Sequence, residues 1–359
     1  MSRGTWAEID ASALRHNVKT IQHIAPHQLI IAMIKANAYG HGINPIAAIL
    51  SETDIEGLGV AVLEEALVLR QAGISKRIIL MEGVFNAAEL IHAASENMDV
   101  VVHHLGQLEL LEQVILPHPI RVWLKIDTGM HRLGFSPEDV KIVWQRLHAL
   151  SQVESIILMS HFACADQHHD PKTEDQFKVF EQITAGIPGL KSLANSAIIL
   201  HHSEKHADLL RPGIMLYGIS PFSDELGEDY NLKPVMTLHA RIIAVKTLKA
   251  GESVGYGAIW NCPSDRNIGV VSVGYGDGYP RHAINGTPVL VNGRRASLIG
   301  RVSMDMITVD LYDQPDAKVG DPVILWGRGL PIETIAQCAN TIAYQLTTQV
   351  TARVPRVIV

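Results

Sequence analysis

Cysteine is scarce: Cys164, Cys262 and Cys338 are the only three in 359 residues. They are odd in number, far apart and form no Cys-x-x-Cys pair. That excludes a disulfide framework and points to a reducing compartment, the cytoplasm. No apolar run approaches the ~18–20 residues that a membrane helix needs. The opening segment MSRGTWAEID has no apolar stretch of the secretory kind and already carries Glu8 and Asp10, so no signal peptide is expected. Basic residues are in deficit, 30 Lys+Arg against 37 Asp+Glu, for a net charge of −7. Nucleic acid and anionic membrane surfaces are therefore poor candidates as partners. Any anionic ligand has to be held by a few locally placed cations and backbone N–H groups. Also missing is a Gly-x-Gly-x-x-Gly turn after the first strand-like run, the mark of an open dinucleotide-binding sheet. What is present is 47% hydrophobic against 19% charged residues, a globular composition that excludes disorder as the main state.

Up to about residue 220, short apolar runs alternate with longer amphipathic stretches. Leu29–Lys35, Gly57–Val62, Arg77–Glu82, Asp99–His103, Arg121–Asp127, Ser155–His161, Ser192–Asn195 and Leu209–Tyr217 read as strands. Several, such as LIIAMIK and SIILMSH, are nearly continuous, the pattern of parallel strands buried on both faces. The stretches between them have helical spacing, as at Leu63, Leu67 and Val68. Strands joined by helices in this number predict an α/β fold, a (β/α)8 barrel of the TIM type, expected over residues 1–225. Phe222–Pro234, acidic and with few large apolar residues, reads as a linker. Residues 226–359 then predict a mostly-β domain. Its strands are Val235–Leu248, Gly269–Gly274, Pro288–Val291, Ser297–Leu311 and Asp321–Trp326, followed by a helix over Ile332–Thr348 and a last strand, Val354–Val359. The VNGR segment Val291–Arg294 is a hairpin signal, because Asn-Gly suits a two-residue type I′ turn.

Lys35, in IIAMIKANAYGHG, ends the first predicted barrel strand, on the face where barrels carry their chemistry. An amine desolvated there has a lowered pKa and becomes a usable nucleophile or Schiff-base former. Alone, it would read as a strand-end lysine reaching to solvent. The loop that follows, with Asn37, Tyr39 and the His41 flanked by glycines, suits a ligand clamp. His161, Cys164, Asp166, His168, His169 and Asp170 have the look of a metal-ligand cluster. Their spacing matches no standard zinc pattern, and 18 histidines cluster by chance, so no metal is expected. His103-His104 and His201-His202 read as solvated loop or helix residues.

IKANAYGHG resembles the pyridoxal-phosphate lysine signature of the alanine racemase family. Further segments resemble that family in order along nearly the whole chain: KIDTGMHRLG at Lys125–Gly134, SHFACAD at Ser160–Asp166, ANSA at Ala194–Ala197 and RPGIMLYG at Arg211–Gly218. In the second domain come VGYGAIW at Val254–Trp260, VGYGDGYP at Val273–Pro280, GRVSMDMI at Gly300–Ile307 and AYQL at Ala343–Leu346. The resemblance implies a barrel that carries pyridoxal 5′-phosphate and a β-domain that contributes to a partner chain's site. It implies interconversion of L- and D-alanine by two bases in a head-to-tail homodimer.

By that resemblance Lys35 holds the cofactor as an imine and, once freed, acts as one base. Tyr256 is the other, since two-sided proton exchange needs bases on opposite faces of a planar carbon. A phenol serves there only where neighbours make it more acidic. Tyr39, Ser196, Gly213, Ile214 and Tyr344 surround the phosphate, and Asn195 is counted among the cofactor contacts. Ser196 also follows the seventh predicted barrel strand and Gly213 lies in the eighth, the region where barrels commonly bind phosphate. Arg211 faces the pyridine nitrogen where related decarboxylases present a glutamate. An arginine keeps its protons, so that nitrogen stays neutral and the electron sink is weaker. Arg132 is implied to approach the cofactor's phenolic oxygen and the substrate carboxylate, and Lys125 to carry a carbamate that neutralises and orients it. His161 stacks on, or hydrogen-bonds near, the cofactor ring and Arg211. Tyr275, Met304 and Asp305 line the entrance, with the Met304 N–H near the substrate carboxylate.

Three other readings stand beside this one. A serine or broader-specificity racemase shares the machinery. A barrel decarboxylase is disfavoured by Arg211. A non-catalytic pyridoxal-phosphate carrier would keep Lys35 but lack the β-domain with Tyr256.

Overall fold

The computed structural model describes residues 3–168 and 170–359; His169, part of the histidine-rich segment noted above, lies outside the described residues. The chain forms two compact units. One comprises Val18–Ala38 and Ile43–Leu216, and the other the described residues up to Asn17, Tyr39–Gly42 and Tyr217–Val359. No described helix is long and apolar enough to cross a membrane.

The chain's first strand, β1 (Trp6–Ile9), belongs to the second of these units. The first unit is built on β2 (Leu29–Met33), β3 (Gly57–Val60), β4 (Arg77–Leu80), β5 (Met98–Val102), β6 (Ile120–Lys125), β7 (Val153–Met159), β8 (Lys191–Ser192) and β9 (Leu209–Leu210). Their order is β8-β7-β6-β5-β4-β3-β2-β9, with every ladder parallel. The ring closes between the last two strands through Asp208 N–H to Lys191 O at 3.0 Å and Arg211 N–H to Ala194 O at 2.8 Å. β3 and β5 are buried at every residue, which is why their sequences run apolar without alternation. The helix that follows β4 is capped locally. At Ala87–Ser95, Asn86 accepts from Glu89 N–H at 3.0 Å while the Glu89 carboxylate takes Phe85 N–H at 2.8 Å, a reciprocal cap.

The N-terminal ends of the strands, opposite the face used for chemistry, hold one buried charge. Asp99 in β5 is fully buried and accepts from Arg77 Nε at 2.6 Å, Arg121 Nε at 2.9 Å and Trp123 Nε1 at 2.8 Å. Removing one member of such a cluster strands the others without a counter-charge. Asp99→Asn is therefore expected to destabilise the protein by about 3–5 kcal/mol, read as a lower midpoint in urea unfolding. A shift under about 1 kcal/mol would mean that the arginines draw their stabilisation from solvent.

The second unit is one sheet: β1, β10 (Met236–Leu248), β11 (Arg266–Val271), β12 (Pro288–Val291), β13 (Arg294–Ile299), β14 (Ile307–Asp310), β15 (Pro322–Trp326) and β16 (Arg356–Ile358). The order is β11-β14-β13-β12-β15-β10-β1-β16, and β10 also pairs with β11. Val291 pairs with Arg294, so Asn292 and Gly293 alone turn the hairpin, with φ of +51° and +76°. That is the type I′ conformation that Asn-Gly signals. The run expected as one strand over Ser297–Leu311 is two, because the chain breaks at Gly300 (φ +72°) and loops out before Ile307. The helix expected over Ile332–Thr348 is likewise two, Ile332–Cys338 and Ala343–Thr348, separated where Asn340 adopts a left-handed φ of +49°.

Candidate active site

The C-terminal ends of the barrel strands carry Lys35 after β2, Lys125 at the end of β6, His161 after β7, Asn195 and Ser196 after β8, and Arg211 directly after β9. Lys35 begins a turn of unusual hand. Ala36, Asn37, Ala38 and Tyr39 have φ of +53°, +55°, +54° and +51°. A left-handed turn costs L-residues roughly 1–2 kcal/mol each, so the surroundings must hold it. Glu65 does much of that. Its Oε1 accepts from Ala36 N–H at 2.6 Å and Asn37 N–H at 3.4 Å, and its Oε2 from Ala61 N–H at 2.9 Å. The Asn37 side chain closes the turn by accepting from Ile43 N–H at 2.8 Å. Backbone strain held this way, at the residue after a reactive amine, is the pattern of a pre-organised site.

Lys35 is exposed in the barrel mouth, yet the surrounding protein strips enough water from its amine to lower the pKa. Arg132 and Arg211 push the same way, and Glu82 and Glu65 oppose them. Lys125, 7% exposed, is lowered further, to about 8, by burial first and then by Arg211, Arg132 and Lys35. Four cationic side chains thus share one mouth, and the two arginines help to lower both lysines.

Arg211 is fixed from several sides. It donates to Ser192 Oγ at 2.5 Å, Ser160 O at 2.6 Å and Leu193 O at 3.3 Å. Burial brings its pKa down to about 10, which still leaves a cation at neutral pH. His161 Nδ1 stands 3.4 Å from Arg211. Burial and that guanidinium hold its pKa well below the usual imidazole range, so the ring is neutral and Nδ1 is its acceptor nitrogen. A neutral ring beside a cation is a poor place for a metal ion. Ser196 Oγ accepts from Gly213 N–H at 3.0 Å and Met215 N–H at 3.4 Å, leaving its own proton to donate. Asn195 spends its side-chain oxygen on Ile198 N–H at 3.1 Å. Ile214 is fully buried and opens the turn Ile214–Tyr217. Arg132, exposed on the loop after β6, makes no side-chain hydrogen bond among the described residues.

The second unit holds the remaining predicted residues. The Tyr39 ring stacks on Tyr217 at 5.0 Å and lies 6.1 Å from Tyr344. Burial raises the Tyr39 pKa to about 12, keeping its hydroxyl a donor. Tyr256, in the turn Tyr256–Ala258, is 73% exposed. Tyr275 N–H donates to Ser303 O at 3.1 Å and Gly276 N–H to Met304 O at 2.9 Å, so Tyr275 and Met304 project from two zipped loops. Asp305 is held by Arg353 at 2.7 Å, and its carbonyl by Arg3 at 2.8 Å.

Glu65, Ser192 and Tyr217 were not singled out from the sequence. Glu65 and Ser192 act on residues distant in the chain, and no local pattern marks them. Tyr217 stood inside RPGIMLYG, where its burial beside Tyr39 was legible only as an apolar run.

The donor set suits pyridoxal phosphate. A pKa-lowered amine, a buried cation fixed by uncharged partners and a serine proton offer an imine-forming nucleophile and donors for an anion.

Two family models cover nearly the whole chain: "Alanine racemase, N-terminal domain" over residues 9–221 and "Alanine racemase, C-terminal domain" over residues 235–358. The chain is 52% identical over 352 residues to an alanine racemase of Nitrosococcus oceani, covering 98% of each. It is 49% identical over 349 residues to one of Shewanella woodyi, covering 97% of each. Among solved structures, the biosynthetic alanine racemase from Pseudomonas aeruginosa superposes with a TM-score of 0.96 at 47% identity, over 99% of both chains.

Proposed function

Because the chain belongs to the alanine racemase family, we propose that it interconverts L- and D-alanine with two bases, Lys35 and Tyr256 of the partner subunit. The observation that carries this reading is the pKa-lowered Lys35 amine, set on a strained turn beside Arg132, Lys125 and the buried Arg211. Pyridoxal 5′-phosphate, when bound, supplies the electron sink that lets the α-proton leave. Ser196, Tyr39, Gly213, Ile214 and Tyr344 hold its phosphate, with Asn195 nearby.

A lysine with a lowered pKa keeps a share of neutral amine at a pH where an ordinary lysine is an ammonium. Its Nζ therefore takes a proton from one face of the α-carbon and returns it there. Arg132, with its hydrogen bonds uncommitted, anchors the substrate carboxylate, joined by the Met304 N–H. Arg211 would face the cofactor's ring and, because it keeps its protons, would leave the electron sink weak, which favours quick return of the proton over side reactions. Tyr256 supplies the other face from a second chain in a head-to-tail homodimer. Its exposure on its own unit, with Tyr275, Met304 and Asp305 as the entrance, supports that reading. The three free cysteines, dispersed through the fold, suit a cytoplasmic protein.

Lys125 Nζ, neutral above about pH 8, adds to carbon dioxide with loss of a proton. The resulting carbamate supplies the anion that its cationic neighbours lack. The sign follows from the lowered pKa: carbamate formation rises as pH climbs through about 8 and falls below it. Protein incubated with 13C-labelled bicarbonate is expected to show one carbamate carbon signal, absent in Lys125→Ala. A labelled protein without that signal would contradict the modification.

Turnover tests the reading. Circular dichroism of L-alanine and of D-alanine should decay to the same zero signal. Alanine left unchanged while serine, lysine or arginine racemises would favour the broader-specificity alternative.

A further inference from the structure

Arg132 is aimed by its loop alone, because its side chain makes no hydrogen bond among the described residues. That loop is pinched at its base, where Asp127 N–H donates to Phe135 O at 2.9 Å and Phe135 N–H to Lys125 O at 2.9 Å. Its near end is fixed to the barrel. Thr128 Oγ1 lies 2.8 Å from Ser160 Oγ and accepts from Nε2 of the buried Gln176 at 3.2 Å. The stretch that carries Arg132 is bent against its preference. Gly129 has φ of +127°, and His131, the residue before Arg132, has +56° without being a glycine. An L-residue avoids that conformation unless its surroundings impose it. Asp127 imposes it. Its Oδ1 accepts from Gly129 N–H at 2.9 Å, Met130 N–H at 3.1 Å and His131 N–H at 3.0 Å, and its Oδ2 lies 3.2 Å from His131 Nδ1. Three successive N–H groups folded round one oxygen make a nest, which an anion at its centre stabilises. Burial works against the charge, yet the His131 and Gly129 N–H groups and the His131 ring hold the Asp127 carboxyl below its ordinary pKa. Its only ion-pairing partner among the described residues is that ring, so the Arg132 guanidinium stays open to an anion from outside.

We propose that Asp127 is a positioning residue for the substrate carboxylate: by holding the Gly129–His131 nest, it fixes where Arg132 meets that carboxylate. The proposal rests on Arg132 as the carboxylate anchor of the racemase reading. Asp127 touches no reacting atom and acts through Arg132. The carboxylate is the same group in substrate and product, and its anchor is engaged before and during proton transfer. Misaiming Arg132 therefore weakens ground state and transition state alike, and the loss falls on KM and not on kcat.

The probe is propionate, which has alanine's carbon chain and carboxylate but no amine to condense with an aldehyde. It is titrated into holoenzyme by calorimetry, beside steady-state kinetics with alanine. Asp127→Ala is expected to weaken propionate at least about tenfold and to raise KM to match, with kcat kept within about threefold. Asp127→Asn leaves an uncharged oxygen for the nest and should recover propionate affinity to within about threefold of the unmodified protein. Asp127→Glu decides the matter should the alanine variant not fold. It keeps the charge but moves the oxygen out by one methylene, and should weaken propionate at least about fivefold. Adding Asp127→Ala to Arg132→Ala should lower kcat/KM no further, since the group it aims is gone. Unchanged propionate affinity in Asp127→Ala or Asp127→Glu, no recovery in Asp127→Asn, or additive losses in the double variant would overturn the positioning role and leave the racemase reading untouched. Should Arg132→Ala itself bind propionate as tightly as the unmodified protein, the anchor assignment falls, and this proposal with it.

Discussion

Replacing Tyr256 by phenylalanine is expected to stop proton exchange on one face of alanine and spare it on the other. The phenol is the only group proposed for its face, and loss of a general base removes typically 10²–10⁴-fold in rate. Lys35 still takes the proton from the enantiomer it faces and, in heavy water, returns deuterium to the same side. That enantiomer should therefore wash in deuterium without racemising, while the opposite one stays unlabelled. Because Tyr256 is 73% exposed on its own unit, the fold should tolerate the change, and the melting curve should not move. Equal loss of exchange from both enantiomers would make Tyr256 a structural residue.

Lys35→Ala has the larger effect of the two, because one substitution removes both the covalent anchor and a base. Racemisation is expected to fall by at least about 10⁴-fold, and the cofactor should be lost on dialysis. In the unchanged protein, borohydride should fix the cofactor on Lys35 alone. Lys125 is the informative control, since it shares the same mouth and its pKa is lowered further, to about 8. A label on Lys125 or elsewhere would sink the assignment.

The barrel was legible because its strands are buried on both faces, so each appears as a short apolar run in an otherwise amphipathic sequence. The runs overshoot at the site end. Leu209–Tyr217 reads as one strand, but β9 stops at Leu210. Beyond it Arg211 turns to its polar partners, and IMLY is buried as a tight turn instead. β1 was not legible: its four residues have meaning only through pairing with β10 and β16, far along the chain. The left-handed turn at Ala36–Tyr39 was hidden for a stronger reason. It contains no glycine, and local preference opposes it at every position. Tertiary hydrogen bonds from Glu65 and Asn37 hold it, and no local pattern reports such bonds. The proposed site residues were legible as motifs, whereas the groups that aim them, Ser192 and Ser160 on Arg211 and Glu65 on the Lys35 turn, emerged only with the fold.

The central claim is that each site takes Lys35 from one chain and Tyr256 from another. Lys35→Ala and Tyr256→Phe proteins, each nearly inactive alone, can be mixed under conditions that exchange subunits. A mixed dimer then has one site with both lesions and one with neither. Random pairing at equal concentrations makes about half the dimers mixed, so activity should rise toward ~25% of the unmodified level by two-fold symmetry counting. Mass-tagged subunits verify exchange, and the double mutant should rescue neither partner. Exchange without recovered activity would contradict the shared site, because a site built within one chain always keeps its own lesion.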